Sequence, residues 1–194
     1  MTAASTPARS AIFLADDSTS DGTRFSRVVL PHLDAAYTLA RYLTRDSADA
    51  DDVLQETVLR ALRYFHTLRH DADARAWLLA IARRECYGFR DRRRARMETV
   101  TFDEAPPLRL VDPADSPEAA AHRSLLHARV TAAIEELPER LRETLILREL
   151  QQCTYDEIAM ITEVPLGTVM SRLSRARTRL ADSLRGTIDA GELA

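Results

Sequence analysis

Residues 154–180 read TYDEIAMITEVPLGTVMSRLSRARTRL. Both ends keep helical spacing, yet Pro165 and Gly167 stand between them. Thr154 and Glu157 have the T-x-x-E spacing of a capping box, in which hydroxyl and carboxylate satisfy orphan amides at a helix start. The pattern predicts a short helix with Ile158, Ala159 and Ile161 turned inward. Pro165 disfavours helical geometry in Val164 and suits the first turn of a following helix. At about 100° per residue, Leu173, Ala176 and Leu180 fall within about 40° of Val169. Met170, Ser171, Ser174 and Arg175 fall on the opposite side, with Arg172, Arg177 and Arg179 on the shoulders. Two helices with a tight turn, the second carrying guanidinium groups outward, match a helix–turn–helix whose second helix enters the DNA major groove. A helical hairpin with a solvated arginine face satisfies the same spacing.

The rest of the composition favours helices. The chain has 194 residues, 45% of them hydrophobic, with 5 Gly, 8 Pro and 6% aromatics. That is enough for one modest core or two small ones. No run of about 20 apolar residues is present, so no membrane insertion is expected. Charge interrupts the N-terminal stretch, which makes it a poor signal peptide and predicts a flexible tail over 1–24. Cys86 and Cys153 lie far apart, without CxxC or Cys/His spacing. They predict a reduced, cytoplasmic compartment rather than a disulfide scaffold or zinc site.

The formal net charge is −3, but it is unevenly spread. Residues 61–100 hold ten Arg against five acids, and 31–60 hold three Arg against six acids. Residues 101–122 carry one Arg and five acids, whereas 164–186 carry five Arg and one Asp. This alternation predicts one surface for nucleic acid and another for a different partner. Every one of the 27 Lys-or-Arg positions is Arg, which GC-rich coding explains as well as phosphate chemistry does.

Apolar spacing predicts a helix through Leu33, Ala36, Tyr37, Ala40 and Leu43. Asp46 or Ser47 can cap a second, with Leu54, Val58, Ala61, Leu62 and Phe65 as its buried stripe. A third carries Ala74, Trp77, Leu78, Ile81 and Ala82, and core packing is the better reading of Trp77 than base stacking. Prolines at 106, 107, 113 and 117, with a net acidic charge, mark a linker. Helical spacing resumes at Leu126, Val130, Ala133, Ile134 and Leu137. Pro138 then opens a helix with Leu141, Leu145 and Leu150. The expected fold is all-α, with two small helical domains joined by an acidic Pro-containing linker and the second ending in the helix–turn–helix. The expected bounds are 25–96, a linker over 97–122, 123–186, and a tail over 187–194.

Together, PLGTVMSRLSRARTRL, the preceding LPERLRETLILRELQQCTYDEIA, and DADDVLQETVLRALRYF with ARAWLLAIARRECYGFRDRRRAR resemble the bacterial extracytoplasmic-function (ECF) sigma factors. The resemblance covers about residues 28–183 and includes order, spacing and linker. It implies a promoter-specificity subunit of RNA polymerase, with no cofactor and no enzymatic activity of its own. The implied partners are core polymerase (its largest-subunit coiled coil and the flap facing the upstream element), promoter DNA and an anti-sigma factor or similar signal.

Carried over by position, polymerase docking falls on Asp49, Asp52, Leu54, Gln55, Glu56 and Arg60. Asp49, Asp52 and Glu56 share one helix face. Asp49 serves equally well to offset the helix dipole. Contacts with the minus-ten element fall on His66, Arg69, His70 and Arg75, which would wall a flipped base, and on Arg83, Arg84, Arg90, Arg92, Arg93, Arg94 and Arg96, which would hold phosphates. His66 and His70 have metal-like spacing without a third ligand. Arg84 stands where the family commonly has Asn, and Gly88 where it often has Asp.

For the minus-thirty-five element, Ser171, Ser174 and Arg175 match base-reading positions, and Arg148, Thr154, Tyr155, Thr168, Arg172 and Arg177 match phosphate contacts. Met170 replaces a common Arg or Lys. The linker is expected to thread the polymerase channel. Two other classes fit parts of the sequence. A homodimeric repressor would bind a palindrome alone, but the basic helix in the first domain argues against it. A sigma mimic that sequesters a regulator would leave its arginines dispensable.

Overall fold

The computed structural model describes residues 21–97 and 117–191, with side chains over 21–95 and 125–185. Residues 98–116, most of the expected linker, lie outside the described residues, as do 1–20 and 192–194. The described residues are helical, without a strand. Helix α1 covers residues 21–28. It is followed by α2 (Leu33–Thr44), α3 (Ser47–Tyr64) and α4 (Ala74–Met97). Then come α5 (Pro117–Glu136), α6 (Glu139–Leu145) with a π-helical turn over Ile146–Leu150, α7 (Tyr155–Thr162) and α8 (Leu166–Gly191).

Local chemistry sets the boundaries. Asp46 caps α3 by accepting from the Asp49 amide at 2.9 Å. Pro138 caps α6, its carbonyl accepting from the amides of Leu141 and Arg142. Helix α5 begins at Pro117, inside the stretch expected as linker, because proline is pre-organised for a first helical turn. Helix α8 runs on to Gly191, past the expected end at 186, with no proline to stop it.

The first domain closes over Phe25, Val29, Ala36, Ala61, Phe65, Leu68 and Leu78. Phe25 and Phe65 meet edge to face at 5.2 Å between centroids. Trp77 packs at the margin of this core, and its indole N–H donates to the Thr67 hydroxyl at 3.3 Å. The buried stripe of α3 differs from the expected one. Ala50, Val53, Thr57 and Ala61 are buried, Leu54 and Val58 are half-buried, and Leu62 is 49% exposed. Thr57 takes the core position because its hydroxyl donates to the Val53 carbonyl at 2.7 Å, leaving only its methyl to pack. Leu126 and Leu150, also expected inside, are exposed.

A second apolar cluster spans both halves of the chain. Leu39, Leu43, Val53, Leu79 and Cys86 from the first domain pack in one continuous cluster with Leu141, Leu145, Ile158, Ile161, Val169 and Leu173 from the second. Neighbouring residues of α4 therefore serve different cores, with Leu78 in one and Leu79 in the other.

Candidate nucleic-acid interface

The second domain builds its outward face from the turn. Thr154 accepts from the Glu157 amide at 3.2 Å, and Glu157 accepts from the Thr154 amide at 2.6 Å, forming the expected capping box. Arg148 donates to the Cys153 carbonyl at 2.8 Å and lies 5.2 Å over the Tyr155 ring, bracing the loop that precedes α7. Glu163 ends α7 with φ 57°, a left-handed conformation, and the Pro165 carbonyl accepts from Thr168 and Val169 to start α8. Val169, Leu173 and Ala176 are buried, so the helix has one orientation about its axis.

That orientation exposes Met170, Ser171, Ser174 and Arg175 together, with Thr168 and Arg172 half-buried at the edge. Arg175 folds along its own helix: its Nε donates to the Ser171 carbonyl at 3.1 Å and an Nη to the Ser171 hydroxyl at 3.3 Å. Arg177 is tied to Glu149 at 2.7 Å, a bond that holds its guanidinium on the shoulder of α8.

In the first domain the expected strand-binding residues divide into two groups. His66, Arg69, His70, Arg92 and Arg94 are exposed; the Arg96 side chain lies outside the described residues. Arg83, buried, Arg90, half-buried, and Arg84, still exposed, meet acids of the second domain. Arg83 is 7% exposed and donates at 2.5 Å to Glu143, which is fully buried. Arg84 pairs with Glu163, and Arg90 with Glu139. Arg75 donates to Gln151 at 3.0 Å and lies 3.9 Å from the Cys153 sulfur. Burial pushes the Glu143 carboxyl up, with Arg83 and Arg140 opposing. Tyr87 lies between the guanidinium groups of Arg83 and Arg140, at 5.0 and 4.7 Å.

Glu143, Glu139, Glu135 and Gln151 were not anticipated as partners. The signal was in the sequence all the same: Glu135, Glu139 and Glu143 recur every four residues beside a basic first domain. Arg41 reaches Glu135 at 3.4 Å.

The expected docking residues lie along α3. Asp52 and Gln55 are exposed, and Glu56 is half-buried. Asp49 pairs with Arg93, and Arg60 bridges Glu56 at 3.4 Å and the buried Glu85 at 2.8 Å. Leu54 turns toward the first core. Leu59 and Leu62, which sequence reasoning left out of this surface, are 59% and 49% exposed on the same helix. Among the described residues, no group of three or more His, Cys, Asp or Glu could hold a metal ion.

An exposed, capped helix–turn–helix joined to a second helical domain with an arginine-rich helix defines a two-domain transcription protein. Comparison with known families gives the same result. Residues 28–96 match the family model for Sigma-70 region 2, and residues 127–180 match that for Sigma-70, region 4. The ECF RNA polymerase sigma factor SigE of Mycolicibacterium smegmatis is 33% identical over 181 residues, covering 92% of this chain and 68% of that protein. The RNA polymerase sigma-H factor of Pseudomonas aeruginosa is 32% identical over 170 residues, covering 85% and 88%. In structure, the sigma factor RpoE from Bartonella quintana, solved with the anti-sigma factor NepR, has a TM-score of 0.68 at 27% identity, covering 83% of this chain and 96% of that one. The chain belongs to the ECF RNA polymerase sigma factors, and it directs transcription initiation at promoters.

Proposed function

We propose that the chain docks on core polymerase through the exposed stripe of α3, opens the minus-ten element with α4, and reads the minus-thirty-five element with α8. The observation that carries the docking assignment is the stripe itself. Asp52, Gln55, Glu56, Leu59 and Leu62 recur at spacings of three and four, so they share one helix face. Exposed leucines within an acidic face fit a partner surface with apolar centres and a basic rim. Ser171, Ser174 and Arg175 would meet base edges, with Arg172 and Arg177 toward phosphates. Arg92, Arg94 and Arg96, with His66, Arg69 and His70, would hold the separated strand.

The relative solved with NepR is bound to an anti-sigma factor. Control by such a partner, in the cytoplasm, is the matching reading for this chain. No helix among the described residues is long and apolar enough to cross a membrane. The chain acts through polymerase rather than as an enzyme.

Reversing Asp52 and Glu56 to Arg together tests the docking surface. Both are on the outer side of α3, so the fold should persist by circular dichroism while pull-down of core polymerase is lost. Normal pull-down by the double variant would move the docking surface elsewhere.

A further inference from the structure

We infer that Met170 is a further base-reading residue of α8, and that it takes the C5-methyl group of a thymine in the upstream element. The inference rests on the reading of α8 as the helix that enters the major groove. Ser171, Ser174 and Arg175, the side chains placed on base edges, are all polar. Met170 stands among them with 53% of its surface exposed, and Leu166, one turn earlier, is 42% exposed.

Helix geometry gives these positions an order. Val169, Leu173 and Ala176 are buried and fix how α8 is turned. At about 100° per residue, Met170 and Arg175 diverge by about 140° around the axis, and Ser174 and Ser171 fall between them. Short side chains therefore occupy the middle of the outer face, with a long one on either flank. Such a face lets the helix sit close to the base edges while the flanking side chains reach to either side.

The two flanks carry opposite chemistry. On one, Arg175 donates to the Ser171 carbonyl at 3.1 Å and to its hydroxyl at 3.3 Å, and Ser171 donates to the Thr168 carbonyl at 3.0 Å. On the other, Leu166 and Met170 are four residues apart, so apolar surface continues over a turn of the helix. A lone exposed apolar residue is ordinary on a protein surface. Here the apolar pair borders the polar side chains that face the groove. A thioether is at most a weak acceptor, so Met170 cannot match the donor and acceptor patterns that mark guanine, adenine or cytosine. The thymine methyl is the apolar group that the major groove presents, and an unbranched, adaptable side chain can settle on it. Leu166 lies toward the helix N-terminus, the direction in which helical side chains lean, and screens that contact from water.

Holoenzyme, formed from the full chain and core polymerase, first selects its upstream element from duplexes randomised over that element. Each thymine of the selected duplex is then replaced in turn by deoxyuridine, which lacks only the methyl group. For the natural chain, one replacement should weaken holoenzyme binding about fourfold, the contribution of burying one methyl group. M170L keeps the apolar bulk and should keep that sensitivity. M170Q is close in size but polar, and should bind the thymine and deoxyuridine duplexes alike. Position 170 is exposed, so both variants should melt with the natural chain; a folding defect would lower affinity for both duplexes equally and leave their ratio intact.

A selected element without thymine, a natural chain indifferent to every deoxyuridine, or a deoxyuridine effect that survives in M170Q would each overturn the methyl contact. In those cases α8 remains the reader if base substitutions in the element still change affinity. If selection yields no preferred base at any position, the reading of α8 itself falls, and the inference with it.

Discussion

Arg175 on α8 and Arg83 on α4 carry the same group in opposite circumstances. The first is exposed and lies along its own helix; the second is 7% exposed and held by Glu143 of the other domain. The difference runs the length of the two helices. On α8 the residues placed to read bases face outward together, while on α4 Arg83 is buried against the second domain, Arg75 and Arg90 are half-buried there, and Arg84, Arg92 and Arg94 stay exposed. Base reading requires side chains that are free to match hydrogen-bond patterns, and a covered helix would lose that. Phosphate binding requires only cations, which a carboxylate can occupy and release. The two helices thus differ in what covers them, α8 presenting its outer face whole and α4 presenting Arg92 and Arg94 while the second domain holds Arg83.

The largest expected effect tests whether α8 depends on the shared core. Leu173 is 1% exposed and belongs to the cluster that joins the domains. Leu173→Ala should cost about 2–5 kcal/mol, the usual range for emptying a buried leucine position. Urea denaturation measures it, and the same variant should lose upstream-element binding. A loss below this range would mean that α8 repacks without the seam, and the contrast between displayed and covered helices would then be local to α4.

The next effect sharpens the meaning of display. Arg175→Ala should cost holoenzyme binding about 1–3 kcal/mol and relax preference at one position of the upstream element. Arg177→Ala should instead weaken binding evenly across sequences and lower the salt slope by about one. The ion pair to Glu149 holds Arg177 where it reaches backbone and not bases. Affinity for an upstream-element library at two salt concentrations separates the two. Intact base preference in Arg175→Ala would remove α8 from the groove.

These contrasts also show how far the sequence could be read. The helix–turn–helix was legible residue by residue, because a capping box, a proline and one apolar stripe each act within a few residues. The stripe of α3 was not, because Thr57 counts as polar until its hydroxyl finds the Val53 carbonyl. Leu62, Leu126 and Leu150 fit the helical period yet face outward. Periodicity records that a helix is amphipathic, whereas a docking surface is apolar too. The pairing of Arg83 with Glu143, 60 residues apart, was hidden for another reason. Helix α4 serves two cores with adjacent leucines and carries its arginines among them, so its pattern names no single buried side. Alternating charge blocks predicted two partners, and in the structure part of one block partners another.

A smaller effect concerns the propensity of α4. Gly88 lies within this helix, and a Cβ there would meet only the tip of the Arg92 side chain, at 3.4 Å. Neither a turn nor a close approach requires glycine. Gly88→Ala should stabilise the chain by about 1 kcal/mol, a rise of about 2–4 °C in melting temperature. A fall would show that Arg92 cannot move aside and that the outer face of α4 is more tightly arranged than its exposure suggests.

The smallest effect is a pH dependence of the packing between the domains, located at Glu139. Burial alone would raise its carboxyl, but the hydrogen bond and charge of Arg90, helped by Tyr87 and Arg140, hold it below the ordinary glutamate value. A lowered folded value means that the unfolded chain binds the proton more readily. The contribution of Glu139 is then fully present above the ordinary glutamate range and lost as pH falls through the lower folded value. Glu143 has the opposite shift, so ionising it disfavours the folded state between its unfolded and raised folded values. As pH falls, protonation of Glu143 should therefore first favour the packed domains, between its raised folded value and the ordinary glutamate value, and loss of the Glu139 contribution should then weaken them below the ordinary value. Replacing Glu139 with Gln removes one of them. Thiol protection of Cys153, followed from neutral to acid pH in the natural chain and in Glu139→Gln, should reveal the weakening in the first and a flatter or reversed trend in the second. Parallel curves would mean that Arg90 is held by the apolar seam alone, and that carboxylates set the register of the domains without setting their equilibrium.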